Sequence, residues 1–321
     1  MLAAYARTQS ETDPISGLVV GQVDEPVVPD GWRKVSVRAA ALNHHDIWSL
    51  RGVGLSSDKL PMILGCDASG IDEDGREVIV HAVISRPEWA GDETEDPKRS
   101  LLSEVYPGTL AESVWVPERN LVPKPAELSF EEAACLPTSW LTAYRMLFTK
   151  ARLVPGETLL VQGAGGGVAS ACIALAKASG VRVWATTRDE TKASRARELG
   201  ADAVFASGER LPGRVDAVVD SVGQATWAHS LRALRPGGRV VTCGATSGPN
   251  PPADLNRVFF LQLQVIGSTM GTRAELERLA SMLVSSGIRP VIDRVLPLSE
   301  ASVGLRALAQ GEVFGKIVLV P

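Results

Sequence analysis

The sequence predicts an α/β protein in two parts, a β-rich domain and a doubly wound parallel sheet. Three observations carry this reading. From residue 158 onward, strand-like and helix-like stretches alternate, which implies βα units and a parallel sheet covered on both faces. A glycine-rich turn, Gly163-Ala164-Gly165-Gly166-Gly167, falls between the first of those strands and its helix. The first 125 residues instead hold short apolar runs broken by Gly, Pro and Asp.

Composition agrees. A chain of 321 residues suits about two domains, and a hydrophobic content of 45% supplies a core for each. The net charge of -4 argues against a protein that coats nucleic acid, because phosphate binding needs a basic stripe. No apolar run approaches the roughly 18 residues that span a bilayer. The opening MLAAYARTQSETD meets an acid at Glu11 without a long apolar stretch, so it predicts no secretion signal and a cytoplasmic protein. Cys66, Cys135, Cys172 and Cys243 are scattered, with no CxxC pair, and read as reduced thiols.

In the first part, residues 35–41, 62–71, 77–83 and 110–116 read as strands, and 88–99 as an exposed polar loop. A proline-punctuated linker covers 122–126. Ser129, followed by Glu131 and Glu132, caps a helix, and 138–149 reads as a second. Strands are then predicted at 158–162, 181–186, 215–220, 239–243 and 265–268. The helices between and after them fall at 168–179, 190–199, 226–234 and 274–285, with Gly200 ending the second. From about residue 287 the chain adds a strand, a helix (299–309) and a final strand (316–320).

The glycine-rich turn is the strongest chemical signal. Gly163-x-x-Gly166-x-x-Ala169 sits where a strand gives way to a helix. Glycines let the backbone approach a pyrophosphate, and the helix start offers free N–H groups to it. Gly163, Gly165, Gly166, Gly167 and Val168 are therefore candidate dinucleotide contacts. About twenty residues on, an NAD site would carry an acid for the ribose hydroxyls. This chain has Thr187, Arg188 and, one turn later, Lys192. Charge-assisted bonds to a 2′-phosphate would favour the phosphorylated cofactor about ten- to a hundredfold, which predicts NADP(H).

With these residues in place, the chain resembles the medium-chain dehydrogenase/reductases, relatives of zinc alcohol dehydrogenases and quinone oxidoreductases. The matching stretches run in order along nearly the whole chain. They are ALNHHDIWSLRG (41–52), ILGCDASG (63–70), LTAYRML (141–147), VQGAGGGVA (161–169), ELGAD (198–202), DSVG (220–223), RPGGRVVTCGATSG (235–248), VIGSTMGT (265–272) and FGKIVL (314–319). The resemblance implies a GroES-like catalytic domain (1–125 with 286–321), an inserted Rossmann domain (126–285), and an active-site cleft between them. It adds cofactor contacts at His44, Thr142, Ser221, Val222, Cys243, Gly244, Ala245, Gly267, Ser268 and Thr269, and it lets Lys316 meet a cofactor phosphate.

The departures are informative. Asn43, Cys66 and Thr138 stand where zinc-dependent members have Cys, His and Cys. An amide and a hydroxyl are poor zinc ligands, and one thiolate does not hold the ion. The 88–99 loop lacks the four close cysteines of the structural zinc lobe. His44, His45 and His81 are the alternative ligands, but His44 and His45, read as extended chain, point to opposite faces and would not share a metal. The expectation is a metal-free site.

A metal-free site suits acceptors that spread the incoming negative charge, such as conjugated carbonyls and quinones. Trp48 replaces a proton-relay histidine found in some zinc members, and Asn43 and Asp46 match the zinc-free branch. The resemblance thus implies an NADPH-dependent reductase of quinones or α,β-unsaturated carbonyls. Asn43 and Thr138 would clamp the substrate oxygen or a ribose, and solvent or His45 would supply the proton. Asp46 is read chiefly as a supporting group bonded to backbone or an arginine. Trp48, Trp140 and Phe259 would wall the substrate, with Tyr106 at the cleft mouth and Cys66 a small buried side chain. A zinc alcohol dehydrogenase and a non-catalytic NADPH-binding protein are the rival readings. A homodimer is expected through the edge strand within 260–268, whose apolar edge would otherwise invite aggregation.

Overall fold

The computed structural model describes residues 1–321, the whole chain. They form two compact units, Met1–Leu141 together with Met270–Pro321, and Thr142–Thr269. These boundaries differ from the expected 1–125 with 286–321 and 126–285. The reason is packing. The helix Phe130–Ala134 lies on strands Trp32–Ala41 and Asp67–Asp72, and the helix Arg273–Ser286 lies on Leu136–Trp140 and Leu121–Pro123. Both helices therefore belong to the first unit.

The first unit is built on a seven-stranded sheet. Its order is Leu121–Pro123, Glu77–Val80, Asp67–Asp72, Trp32–Ala41, Lys316–Val320 and Ile292–Pro297, with Ser113–Pro117 also paired to Trp32–Ala41. The central strand shows why it forms: Val35 and Val37 point into the core while Ser36 and Arg38 face solvent, a period of two. The expected strand over 62–71 is interrupted at Gly65, whose φ of +98° makes the turn. A Cβ there would lie 2.5 Å from Thr109 Oγ1 and 2.7 Å from Leu110 Cγ, so only glycine fits. That turn presents Cys66.

Residues 44–50 are helical, not extended. Asn43 is extended and precedes the helix, and the Asp46 carboxylate reaches back to the Asn43 N–H at 2.8 Å, closing the first turn. The helix expected over 138–149 is broken into π-helical turns at Leu136–Trp140 and Arg145–Lys150, on either side of an α-turn at Leu141–Tyr144. Pro137, near the start, has no N–H for a regular ladder.

The second unit is a six-stranded, fully parallel sheet. Its strands are β1 (Thr158–Gln162), β2 (Arg182–Thr187), β3 (Ala203–Ala206), β4 (Val215–Asp220), β5 (Leu234–Thr242) and β6 (Gln264–Gly267). The spatial order is β3-β2-β1-β4-β5-β6. All of β1 is buried, as a strand covered on both faces requires. Sequence patterning missed β3, only four residues long, and the helix Leu255–Phe260. No helix of the chain is long and apolar enough to cross a membrane. The four cysteines are all free.

Candidate active site

The carboxyl ends of the parallel strands gather one set of candidate residues. The order of the sheet reverses between β1 and β4, the place where open α/β sheets bind ligands. Gly163 leaves β1 at φ +78°, and a Cβ on it would come within 3.2 Å of Val222 Cγ2. Gly166 precedes the helix Gly167–Ala178 with no side-chain cap, and the space beside it is open to 4 Å. The first N–H groups of that helix are thus left for an anion. The fully buried Asp220 shapes the neighbouring turn: its Oδ1 accepts from the N–H groups of Val222 (2.8 Å) and Gly223 (3.0 Å), and its Oδ2 from Ser230 (2.7 Å). The loop after β5, carrying Cys243, Gly244 and Ala245, is tied to this turn by Ser247 N–H on Val222 O at 2.8 Å. Ser268 N–H bonds Thr242 O at 2.9 Å, and Ser268 Oγ is buried without a protein partner. Gly267 and Thr269 flank it and are exposed, and Thr142, at the start of the unit, is buried.

The end of β2 carries the phosphate-selecting candidates. Asp189 Oδ1 accepts the Lys192 N–H at 3.0 Å and so caps the helix Glu190–Glu198. Glu190 pairs with Arg197 at 3.1 Å. Both acids next to Arg188 are therefore engaged in their own helix. Arg188 is exposed, and Lys192 Nζ lies 3.2 Å from where a Cβ on Gly165 would stand. Thr187 Oγ1 accepts the Asp189 N–H at 3.2 Å. An open glycine turn, an uncapped helix start, an orphaned Ser268 hydroxyl and two cations form a cradle that fits a 2′-phosphorylated dinucleotide.

The first unit holds the second set, around a buried ammonium. Lys316 Nζ donates to Asn43 Oδ1 (2.6 Å), Leu42 O (2.8 Å), Asp67 Oδ2 (3.1 Å) and Ser139 Oγ (3.3 Å). Lys316 is 2% exposed and Asp67 wholly buried, so this ion pair is shielded from water. The Asn43 amide is spent as well, donating to Asp67 Oδ2 at 2.9 Å and Ala41 O at 3.2 Å. Two expectations are corrected here. Lys316 is committed to this cluster and does not serve a phosphate, and Asn43 is a structural bridge with no hydrogen-bonding capacity directed at a substrate. Both follow from the charge balance: an isolated Asp67 carboxylate in this interior would be prohibitive.

Asp46 lies beside that cluster, fully buried, and accepts from Asn43 N–H (2.8 Å) and Gly65 N–H (3.0 Å). Burial raises its carboxyl to about 6, against the opposing pull of His45, the Asn43 N–H and Lys316. His45 turns away from the ammonium. Its Nε2 lies 3.1 Å from Glu104 Oε1, and its Nδ1 lies 3.4 Å from Cys66 Sγ and 3.5 Å from Ser103 Oγ. Burial pulls the imidazole pKa down, yet Cys66, Glu104 and Asp46 together carry it well above the ordinary histidine value. Burial pushes the Cys66 thiol up, against the opposing pull of His45. Ser103 and Glu104 lie in no motif, and the sequence offered no signal for them beyond an acid and a hydroxyl in a short loop.

The remaining candidates scatter. Thr138 Oγ1 is buried without a hydrogen-bond partner. Trp140 is wholly buried, and its Nε1 has no hydrogen-bond partner. Phe259 is 67% exposed on the surface helix Leu255–Phe260, where it lines a shallow depression with Asn256, Arg257 and Phe260. Trp48 is half-buried, with the Arg51 guanidinium 5.1 Å from its ring. His44 is exposed, Tyr106 packs on Trp32 at 4.7 Å, and His81 is buried with Nε2 2.9 Å from Gly271 O.

Two family profiles match the chain. "Alcohol dehydrogenase GroES-like domain" covers residues 29–126, and "Zinc-binding dehydrogenase" covers 167–285. The acryloyl-coenzyme A reductase of Metallosphaera sedula is 31% identical across 94% of this chain and 96% of its own length. This chain belongs to the medium-chain dehydrogenase/reductase superfamily. Among solved members of the superfamily, a structure titled NAD-dependent alcohol dehydrogenase is 35% identical, covers both chains fully and superposes with a TM-score of 0.91. The 2-octenoyl-CoA carboxylase reductase CinF, in complex with NADP and 2-octenoyl-CoA, is 25% identical with a TM-score of 0.92, covering 99% of this chain and 87% of that one. The zinc in the second profile's description does not fit the residues present. The superfamily's three ligand positions hold an amide already bonded to Lys316, a buried thiol and a threonine hydroxyl. No group of three or more His, Cys, Asp or Glu is arranged to hold a metal ion.

Proposed function

We propose that this superfamily member is an NADP(H)-dependent reductase of α,β-unsaturated carbonyl compounds that works without a bound metal. The observation that carries the reading is the Lys316 contact to Asn43: the first of the old ligand positions is locked into a protein ion-pair cluster. Without a Lewis acid, an acceptor whose double bond is conjugated to a carbonyl is favoured, because it delocalises the charge that hydride addition creates. Conjugated acyl thioesters, the substrates named for two of the relatives, are the first class to try, and quinones the second.

When bound, the reduced nicotinamide supplies the hydride. The chain's own residues do the rest. The helix start at Gly167 and the glycine turn hold the pyrophosphate. Arg188 and Lys192 hold the 2′-phosphate and set the preference for NADP(H). Thr138 Oγ1, which has no partner in the protein, donates to the substrate carbonyl or a ribose hydroxyl. His45 carries the proton that completes the reduction.

The reading includes a pair of copies joined through β6. This strand is the sheet edge, and Leu255, Phe259, Phe260 and Val265 expose apolar surface beside it. A panel of acceptors tests the function: NADPH consumption is expected with an enoyl thioester, an enone or a 1,4-benzoquinone, and not with a saturated aldehyde. Turnover of the saturated aldehyde alone, or of nothing, defeats the reading.

A further inference from the structure

We propose that Glu104 is the positioning residue of His45, fixing its imidazole in the orientation that proton transfer uses. The inference rests on the reading of His45 as the proton carrier. Glu104 holds the ring through one oxygen, Oε1 at 3.1 Å from Nε2, and is itself held through the other, Oε2 accepting the Leu101 N–H at 3.1 Å. An ionised carboxylate only accepts, so the hydrogen of this contact belongs to Nε2. That assignment leaves Nδ1 facing Cys66 and Ser103. The Cys66 thiol donates to Leu102 O at 3.2 Å, so its hydrogen is directed away from the ring. The ring is thus fixed through Nε2, and Nδ1, 3.5 Å from Ser103 Oγ, is the nitrogen left for proton exchange.

The surrounding backbone is shaped for this contact. Ser103 adopts φ 69°, a conformation that non-glycine residues rarely take, and its N–H closes a tight turn on Tyr106 O at 2.8 Å. The turn brings Ser103 and Glu104, adjacent in the chain, onto opposite nitrogens of one ring. Gly54, at φ +82°, faces the pair: a Cβ there would stand 3.1 Å from Glu104 Oε1 and 3.9 Å from His45 Nε2. The side chains of His45 and Glu104 are 18% and 23% exposed, sheltered from full screening yet reachable. The titratable groups facing the ring are Cys66 from the Gly65 turn, Glu104 from its loop and Asp46 from the ring's own helix.

A double-mutant cycle with a spectroscopic arm tests the inference. In NADPH-driven reduction of an enone, Glu104→Ala is expected to lower kcat on the order of 10- to 100-fold with KM for NADPH unchanged. Glu104→Gln, which keeps an acceptor oxygen of the same shape, should recover most of that loss. In a His45→Gln background, Glu104→Ala should cost nothing further. An equal loss in that background overturns the positioning role. So does a rise in KM with kcat intact. Nitrogen-15 NMR of the histidine ring is independent of turnover: a slowly exchanging hydrogen on His45 Nε2 is expected in the wild type and should disappear in Glu104→Ala. An unchanged ring signal overturns the inference. A wild type that reduces no conjugated acceptor but shows the Glu104-dependent signal overturns the functional reading instead.

Discussion

Lys316 Nζ lies 2.6 Å from Asn43 Oδ1, joining residues 273 positions apart in the chain. The same ammonium neutralises Asp67, whose other oxygen, Oδ1, has no partner at all. The cluster therefore depends on one positive charge. Lys316→Met is expected to destabilise the fold by about 3–5 kcal/mol, because it strands a buried carboxylate. NADPH affinity, per folded molecule, should stay unchanged. Urea unfolding and a binding isotherm check both halves, and a loss of affinity without a loss of stability would return Lys316 to the cofactor.

Asp46 gives a pH dependence with a definite sign. Its folded-state pKa, about 6, stands above the ordinary 3.8. The native protein thus keeps a proton there that the unfolded chain releases between about pH 4 and 6. This group's contribution is full below about pH 4 and is lost as pH rises through about 6. Relative to Asp46→Asn, the wild type should lose about 3 kcal/mol of stability between pH 4 and 7, and no more above. Parallel unfolding curves across that range check it; a wild-type stability that rises relative to the variant as pH increases contradicts it.

In the proposed reading, cofactor choice rests on Arg188 and Lys192. Alanine at either is expected to weaken NADPH binding about ten- to a hundredfold and leave NADH binding unaltered. Isotherms with the two cofactors decide it. Equal losses for both would show that these side chains do not read the 2′-phosphate.

The proposed pairing of copies through β6 predicts a change in mass. Phe260 is 80% exposed, and Phe260→Asp would place a charge in the apolar contact. Sedimentation should show a dimer for the wild type and a monomer for the variant. A wild-type monomer removes the dimer from the account.

The parallel-sheet half is largely legible in the sequence. Its signals are local: Gly163 and Gly166 mark the turn, and each apolar strand is bounded by its own helix. The catalytic half was legible only as far as its local chemistry. The NHHD stretch pointed to the right place, but Asn43 and Lys316 meet through sheet topology that no spacing encodes. The adjacent histidines read as extended chain in the sequence, and the capping contact from Asp46 to the Asn43 N–H makes them helical. Trp140 and Phe259 show a different limit. An aromatic residue reads the same whether it fills a core or sits on a surface, and here one does each. Glu104 escaped notice because its partner lies 59 residues away.

The central claim is that conjugated carbonyl reduction here needs no metal. The direct measurement is NADPH-driven reduction of an enone by protein dialysed against a strong chelator, with the product identified. The account predicts undiminished turnover and a product saturated at the former double bond with its carbonyl intact. Activity lost on chelation and restored by zinc would contradict it.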